Sequence, residues 1–396
     1  MKKAVDPSLF DRDIAREGTA SVKWDLRGQL FGRPDALPLW VADMDFPSPE
    51  PVISALEKRA AQGVYGYTFA PDEYYRAVTG WQKGRHGWDV LREWIHFSPG
   101  VVPGINFLIQ AFTEPGQGVL LQLPVYYPFL KAVTSNGRVI VNSPLAESGG
   151  SYAIDYADFE AKAALPETRV FVLCNPHNPV GRVWTKEELV RMGEICQRHG
   201  VLVVADEIHS DIVYPGFTHV PFASLGESYA LNSVTCSAPS KTFNLAGLQT
   251  SYLIIPDGAK GRVYRKKLES LGIMGPNLFG IEALIAAYTG GASWLEALKA
   301  YLLGNINIMD EMFGASGSPV TLIRPQGTYL AWLDFRKLGM DDRGLREFII
   351  NRAGLALDDG YIFGRDEGSG FQRLNFACTR KTLNAALVSL ENALKQ

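Results

Sequence analysis

Val201-Leu202-Val203-Val204-Ala205-Asp206-Glu207-Ile208-His209 is the stretch on which the fold turns. Its five leading apolar residues, three of them β-branched, leave no polar position for a wet face, so they predict a strand buried on both sides. The run ends on a carboxylate. Burying Asp206 at a strand end is costly unless something pairs it, and two outcomes fit: it caps a following helix, or it meets a cation in a site.

Working outward, residues 119–123, 138–142, 169–174, 233–237 and 251–255 read as further buried strands. Between them, Ile105, Leu108, Ile109 and Phe112 mark one helix face, and Leu189, Met192, Ile195 and Cys196 another. Thr185 and Glu188 stand at capping-box spacing and start the second helix near residue 186. This alternation predicts an α/β fold with a mostly parallel sheet covered by helices on both faces. Beyond about residue 285 the pattern changes to long helices and scattered strands, notably residues 328–335. A last helix striped by Leu383, Leu387, Leu390 and Leu394 packs a smaller α+β domain. The first 50 residues, with prolines at 34, 38, 47 and 49, read as an arm that wraps another surface. The expected division is an arm joined to part of the small domain (1–50), a large domain (51–285) and a C-terminal small domain (286–396).

A chain of 396 residues exceeds one ordinary hydrophobic core, which agrees with two domains. Its net charge of −3 and its lack of clustered Lys and Arg argue against nucleic acid or an anionic membrane as partner. The run Arg265-Lys266-Lys267 is short and reads as a solvated helix face. Cys174, Cys196, Cys236 and Cys378 show no CxxC spacing, so neither a zinc site nor a redox pair is expected. The N-terminus turns polar before a signal region develops, and no apolar stretch reaches about 18 residues. A reduced, cytoplasmic protein is the expectation.

Chemistry concentrates at the strand ends. In Ser237-Ala238-Pro239-Ser240-Lys241-Thr242-Phe243-Asn244, Lys241 sits among small and hydroxyl residues beyond a strand: it is either an amine held for imine formation or an ordinary surface lysine. Ser98-Pro99-Gly100-Val101-Val102-Pro103-Gly104 opens onto a helix expected near Ile105. Its glycines and free amides suit a phosphate, although Pro-Gly also makes ordinary turns. Asn175-Pro176-His177-Asn178-Pro179-Val180-Gly181 follows a strand directly, where parallel sheets bind ligands; Asn178 can donate to a ring oxygen. Tyr126, at another strand end, is either a core aromatic or a platform for a planar ring. Arg373, between apolar residues, needs an anion: a substrate carboxylate or an internal Asp or Glu.

Taken in order, phosphate loop, aromatic, Asn loop, Asp, Lys and Arg resemble a fold-type I pyridoxal phosphate enzyme of the class I/II aminotransferase superfamily, over nearly the whole chain. Trp40-Val41-Ala42-Asp43-Met44-Asp45-Phe46, Tyr65-Gly66-Tyr67-Thr68 and Pro239–Asn244 resemble its carbon–sulfur β-lyase branch, the aminotransferase-like cystathionine β-lyases. The resemblance implies Lys241 as the Schiff-base lysine, Asp206 on the pyridine nitrogen, Asn178 on the 3-oxygen and Tyr126 stacked on the ring. It implies that Val101 and Val102 amides and Ser240 hold the phosphate, and that Tyr67 reaches the cofactor of a neighbouring subunit, so a homodimer is expected. Arg373 would clamp the α-carboxylate of a sulfur amino acid. His209 and Gln249 stand where aspartate aminotransferases place a tyrosine and an arginine; His209 either touches the ring oxygen or packs structurally. The implied reaction is β-elimination of a thiol from cystathionine or a cysteine conjugate. Transamination by the same residues is the alternative, and a non-catalytic pyridoxal phosphate-binding regulator a third reading. Tyr127, Trp40, Met44 and residues 271–275 are candidates for the side-chain pocket.

Overall fold

A computed structural model describes residues 5–314 and 317–395. Seven strands, β1 (Ile95–Ser98), β2 (Gly118–Leu121), β3 (Val139–Asn142), β4 (Thr168–Cys174), β5 (Leu202–Asp206), β6 (Ser233–Ser237) and β7 (Ser251–Ile254), form the large sheet. Their order is β1-β7-β6-β5-β4-β2-β3. Strands β2 to β6 run parallel, while β7 is antiparallel to both β6 and β1.

Strand periodicity sorts the side chains into two cores. Val170, Val172 and Val204 face one side, with Ile105, Leu108 and Ile109; Phe171, Leu173, Val203 and Ala205 face the other, with Leu189, Met192 and Ile195. Each fully buried Val or Leu contributes about 1.5–3 kcal/mol relative to exposure. Among the helices are α1 (Asp72–His86), α2 (Val101–Phe112), α3 (Lys186–Arg198), α4 (Leu278–Gly290), α5 (Ala292–Phe313) and α6 (Arg380–Leu394). The capping box at α3 forms as its spacing predicts, with Thr185 and Glu188 bonded reciprocally.

One strand and one helix start depart most from expectation. Strand β1 escaped notice because His96 and Ser98 break its apolar run, a pattern an edge strand beside a single antiparallel neighbour tolerates. Helix α2 begins at Val101 rather than near Ile105, since Pro103 falls in its first turn, where a missing N–H costs nothing.

The smaller sheet comprises β8 (Thr321–Ile323), β9 (Leu330–Asp334), β10 (Asp358–Asp359) and β11 (Phe371–Asn375), ordered β8-β9-β11-β10 and antiparallel throughout. Leu37–Pro38 pairs in parallel with Leu355–Ala356, which ties the N-terminal segment to this part of the chain. From there residues 41–46 cross toward the ends of β5 and β6. All four cysteines are buried and unpaired. Among the described residues, no single helix is long and apolar enough to cross a membrane.

Candidate active site

Alternation along β5 aims Asp206 to the same side as Val204, and register sets it between Cys174 of β4 and Cys236 of β6. On that side lies a cavity of about 340 Å³, lined by Val101, Val102, Tyr126, Asn178, Asp206, His209, Ser240, Lys241 and Gln249 among others. Eight of the ten residues singled out from sequence therefore converge. Of the other two, Arg373 reaches this group through Asn178, and Tyr67 does not: its side chain is fully exposed, away from the cavity.

Asp206 accepts a hydrogen bond from Ile208 N–H at 3.1 Å. Residues 208–211 form a turn, not a helix, so the capping alternative fails. Burial pushes its carboxyl up to about 7, against the pull of Ile208 N–H and Lys241. A carboxylate so placed is complementary to a cation inside the cavity.

Lys241 lies in the single helical turn Pro239–Thr242 that follows β6. Its Nζ donates to Ala42 O at 2.5 Å, and Tyr329 OH donates to the same carbonyl at 2.9 Å. Burial lowers the amine to about 8, with Arg373 acting in the same direction and Asp43 and Asp206 against it. Val101 and Val102 open α2 behind Gly100, with no side-chain cap; their amides belong to the first turn, where helical geometry supplies no acceptor.

The Asn loop is shaped by its own backbone: His177 N donates to Arg182 O and Gly181 N to His177 O, both at 2.7 Å. Gly181 has φ +73°, and a Cβ there would lie 2.9 Å from Pro325 Cα, so only glycine fits. Asn178 Oδ1 accepts from Arg373 Nη1 at 3.0 Å. Arg373 also donates to Trp40 O at 3.0 Å and to Asp358, so the internal carboxylate considered from sequence exists. Tyr126 is half-buried beside Tyr127 and Phe129, and burial raises its phenol. His209 packs edge-on against Tyr329 with Nδ1 unpartnered; burial, Lys241 and Arg373 keep its imidazole neutral.

The pocket candidates fare differently. Tyr127, Trp40, Met44 and residues 271–275 do not line this cavity; Met44 is buried in the core and Met274 is exposed. Residues 41–46 instead act through their main chain. Asn244 brackets Met44 and Phe46, Asn375 Nδ2 donates to Val41 O at 2.6 Å and Asp43 O at 2.5 Å, and Arg16 and Lys23 pair with Asp45.

Behind the site sits a second polar group that sequence reading missed. Thr242, next to Lys241, donates to the buried Asp211 at 2.7 Å, which also accepts from Trp81 Nε1 at 3.1 Å and meets His86 Nε2 at 3.0 Å. Glu207, next to Asp206, accepts from Phe222 N–H at 2.8 Å and meets His219 at 3.2 Å. Glu207 and Asp211, two acidic residues that follow Asp206, are its sequence trace.

The chain is similar to cystathionine beta-lyase PatB of Bacillus subtilis (strain 168), with 47% identity over 385 residues, covering 97% of this chain and 99% of PatB. Its fold matches cystalysin from Treponema denticola, which contains pyridoxal 5'-phosphate, with a TM-score of 0.94, 37% identity and 98% of each chain covered. It also matches the PLP-bound C-S lyase from Staphylococcus hominis, with a TM-score of 0.91, 32% identity and 98% of each chain covered. With a family match that spans residues 35–390, this chain belongs to the aminotransferase class I and II family.

Proposed function

We propose that this protein is a pyridoxal phosphate-dependent carbon–sulfur β-lyase that cleaves L-cystathionine or a related cysteine S-conjugate to a thiol, pyruvate and ammonia. The carrying observation is one cavity that gathers an amine, a buried carboxylate, an amide side chain, an aromatic ring and a helix N-terminus. The names of the relatives described above support the sulfur chemistry over transamination.

The residues fit the cofactor. Bound there, pyridoxal phosphate supplies an aldehyde for amines and an electron-poor ring that takes up negative charge from a substrate's Cα. Val101 and Val102 amides, with the Ser240 hydroxyl, hold the phosphate. Asp206 gives its buried charge to the ring nitrogen and keeps that nitrogen protonated. Asn178 donates to the ring oxygen, and Tyr126 covers a ring face. Lys241, with its amine lowered to about 8, is unprotonated in a useful fraction near neutral pH; it takes the Cα proton and can return it. Arg373 receives the substrate's α-carboxylate.

Tyr67, fully exposed in a single chain, serves the phosphate of a neighbouring subunit's cofactor, which makes the working unit a homodimer with shared sites. The division at residues 50 and 285 belongs to the same reading; Phe10 of the arm packs on Trp294 and Tyr301, consistent with an arm that joins the small domain. The protein works in the cytoplasm.

Product analysis of the cofactor-loaded protein with L-cystathionine and no keto acid tests this. Sustained pyruvate with matching homocysteine is expected. A single stoichiometric turnover rescued by a keto acid would make it an aminotransferase, and turnover by Lys241→Ala would remove the assignment altogether.

A further inference from the structure

Arg373 has more partners than a free carboxylate clamp would. Of its five N–H donors, the two on Nη2 are engaged by the Asp358 carboxylate and by Trp40 O at 3.0 Å, and one on Nη1 by Asn178 Oδ1 at 3.0 Å. Nε is buried without a partner. A carboxylate that grips two donors uses either the Nη1/Nη2 edge or the Nε/Nη2 edge. Both edges include Nη2, and Asp358 occupies it.

Asp358 cannot readily leave for water. It is a cross-strand partner of Arg373 between β10 and β11, and the two residues are 7% and 2% exposed. The titratable groups that face it are Arg373, the adjacent Asp359, and the phenols of Tyr126 and Tyr127. Asp359, itself held by Gln372 and Arg346, is a second acidic group and offers Asp358 no compensating positive charge. A substrate carboxylate arriving at Arg373 would place two buried anions on one guanidinium, and one must become neutral.

We propose that Asp358 is an internal stand-in for the substrate's α-carboxylate, displaced from Arg373 Nη2 on binding and neutralised by a proton from solvent as it lets go. This rests on Arg373 as the carboxylate clamp. Burial already raises the Asp358 carboxyl to about 6 while Arg373 holds it down; loss of that partner raises it further. Below about pH 6 the residue is protonated beforehand and binding needs no uptake. Above it, carboxylate affinity falls with rising pH, by up to about tenfold per unit, until the bound-state pKa is reached.

The test is calorimetric titration of the holoenzyme with 3-(methylthio)propionate, which has the carboxylate and sulfur but no amine, in buffers of different protonation enthalpy. Absorbance of the cofactor, followed in parallel, counts protons taken up at the ring and Lys241. The wild type is expected to take up a further fraction of a proton, about half or more near pH 7, that Asp358→Asn lacks. The variant should also bind roughly tenfold tighter near pH 8, with a flatter pH dependence. Equal uptake by the two proteins overturns the proposal. So does a wild-type affinity that is level between about pH 6 and 8, a measurement that needs no variant. If Arg373→Lys binds the probe as tightly as wild type, the clamp itself is misassigned and this proposal falls with it.

Discussion

Asp211→Ala should loosen the site from behind without altering its lining. Asp211 is buried and accepts from Trp81 Nε1 at 3.1 and 3.2 Å on its two oxygens and from Thr242 Oγ at 2.7 Å, with His86 Nε2 at 3.0 Å and Arg85 Nε at 3.8 Å. Trp81 and Thr242 are 7% and 1% exposed, so neither stranded donor finds water easily. At about 1–3 kcal/mol per unsatisfied buried donor, and with His86 and Arg85 losing a carboxylate, the cost comes to about 3–5 kcal/mol, the range for breaking a buried pair. Thr242→Val removes one of the same bonds and should cost about 1–2 kcal/mol. Because the two changes share that bond, the double variant should fall short of their sum by about 1 kcal/mol. Guanidinium unfolding of all four proteins measures this cycle. A loss below about 1 kcal/mol for Asp211→Ala, or strict additivity, would refute the argument.

Lys241 in the cofactor-free chain should lose its proton near pH 8 instead of 10.5; the pH dependence of its acylation rate measures this, and an inflection near 10.5 contradicts it. A lowered lysine adds stability that is present above 10.5 and lost as pH falls through 8. Asp206, raised to about 7, acts with the opposite sign: its contribution is full below 3.8 and lost as pH climbs through 7. The cofactor-free protein should therefore lose stability over that window while Asp206→Asn does not, and parallel curves would discredit the burial argument. Asn375→Ala deletes the bonds to Val41 O and Asp43 O and the acceptor for Ala377 N. It should cost about 2–4 kcal/mol and admit protease to residues 41–46; an unchanged digestion pattern would count against the clamp.

The interior strands could be read from sequence because they are apolar on both faces, and Asp206, Asn178, Tyr126 and Lys241 because they stand at or shortly beyond the ends of such strands. What stayed hidden has a common physical character. The acceptor for Lys241 is the carbonyl of Ala42, and a main-chain oxygen leaves no mark in residue identity. Asp211 and Asp358 look like any other acidic residues until the chain is folded, since their importance lies in what points at them. Tyr67, which the resemblance implied, stands outside the cavity of the single chain, and the arm, read as a wrap without periodicity, proves to be fastened by discrete polar bonds through Arg16, Lys23 and Asn375.

That fastening bears on how this protein can be handled. Lys23 is fully buried against Asp45, and Arg16 bonds Asp43 and Asp45 together, some twenty to thirty residues ahead of the segment they secure. Asn244 grips the same segment from the large sheet's side and Asn375 from the small sheet's, with the Ala42 carbonyl between them at Lys241. An expression variant trimmed at its front by even twenty-five residues would keep every side chain that lines the cavity and still leave Asp43 and Asp45 without their cations, so the leading segment is best counted as part of the protein's working core when fusions, tags or cleavage sites are designed.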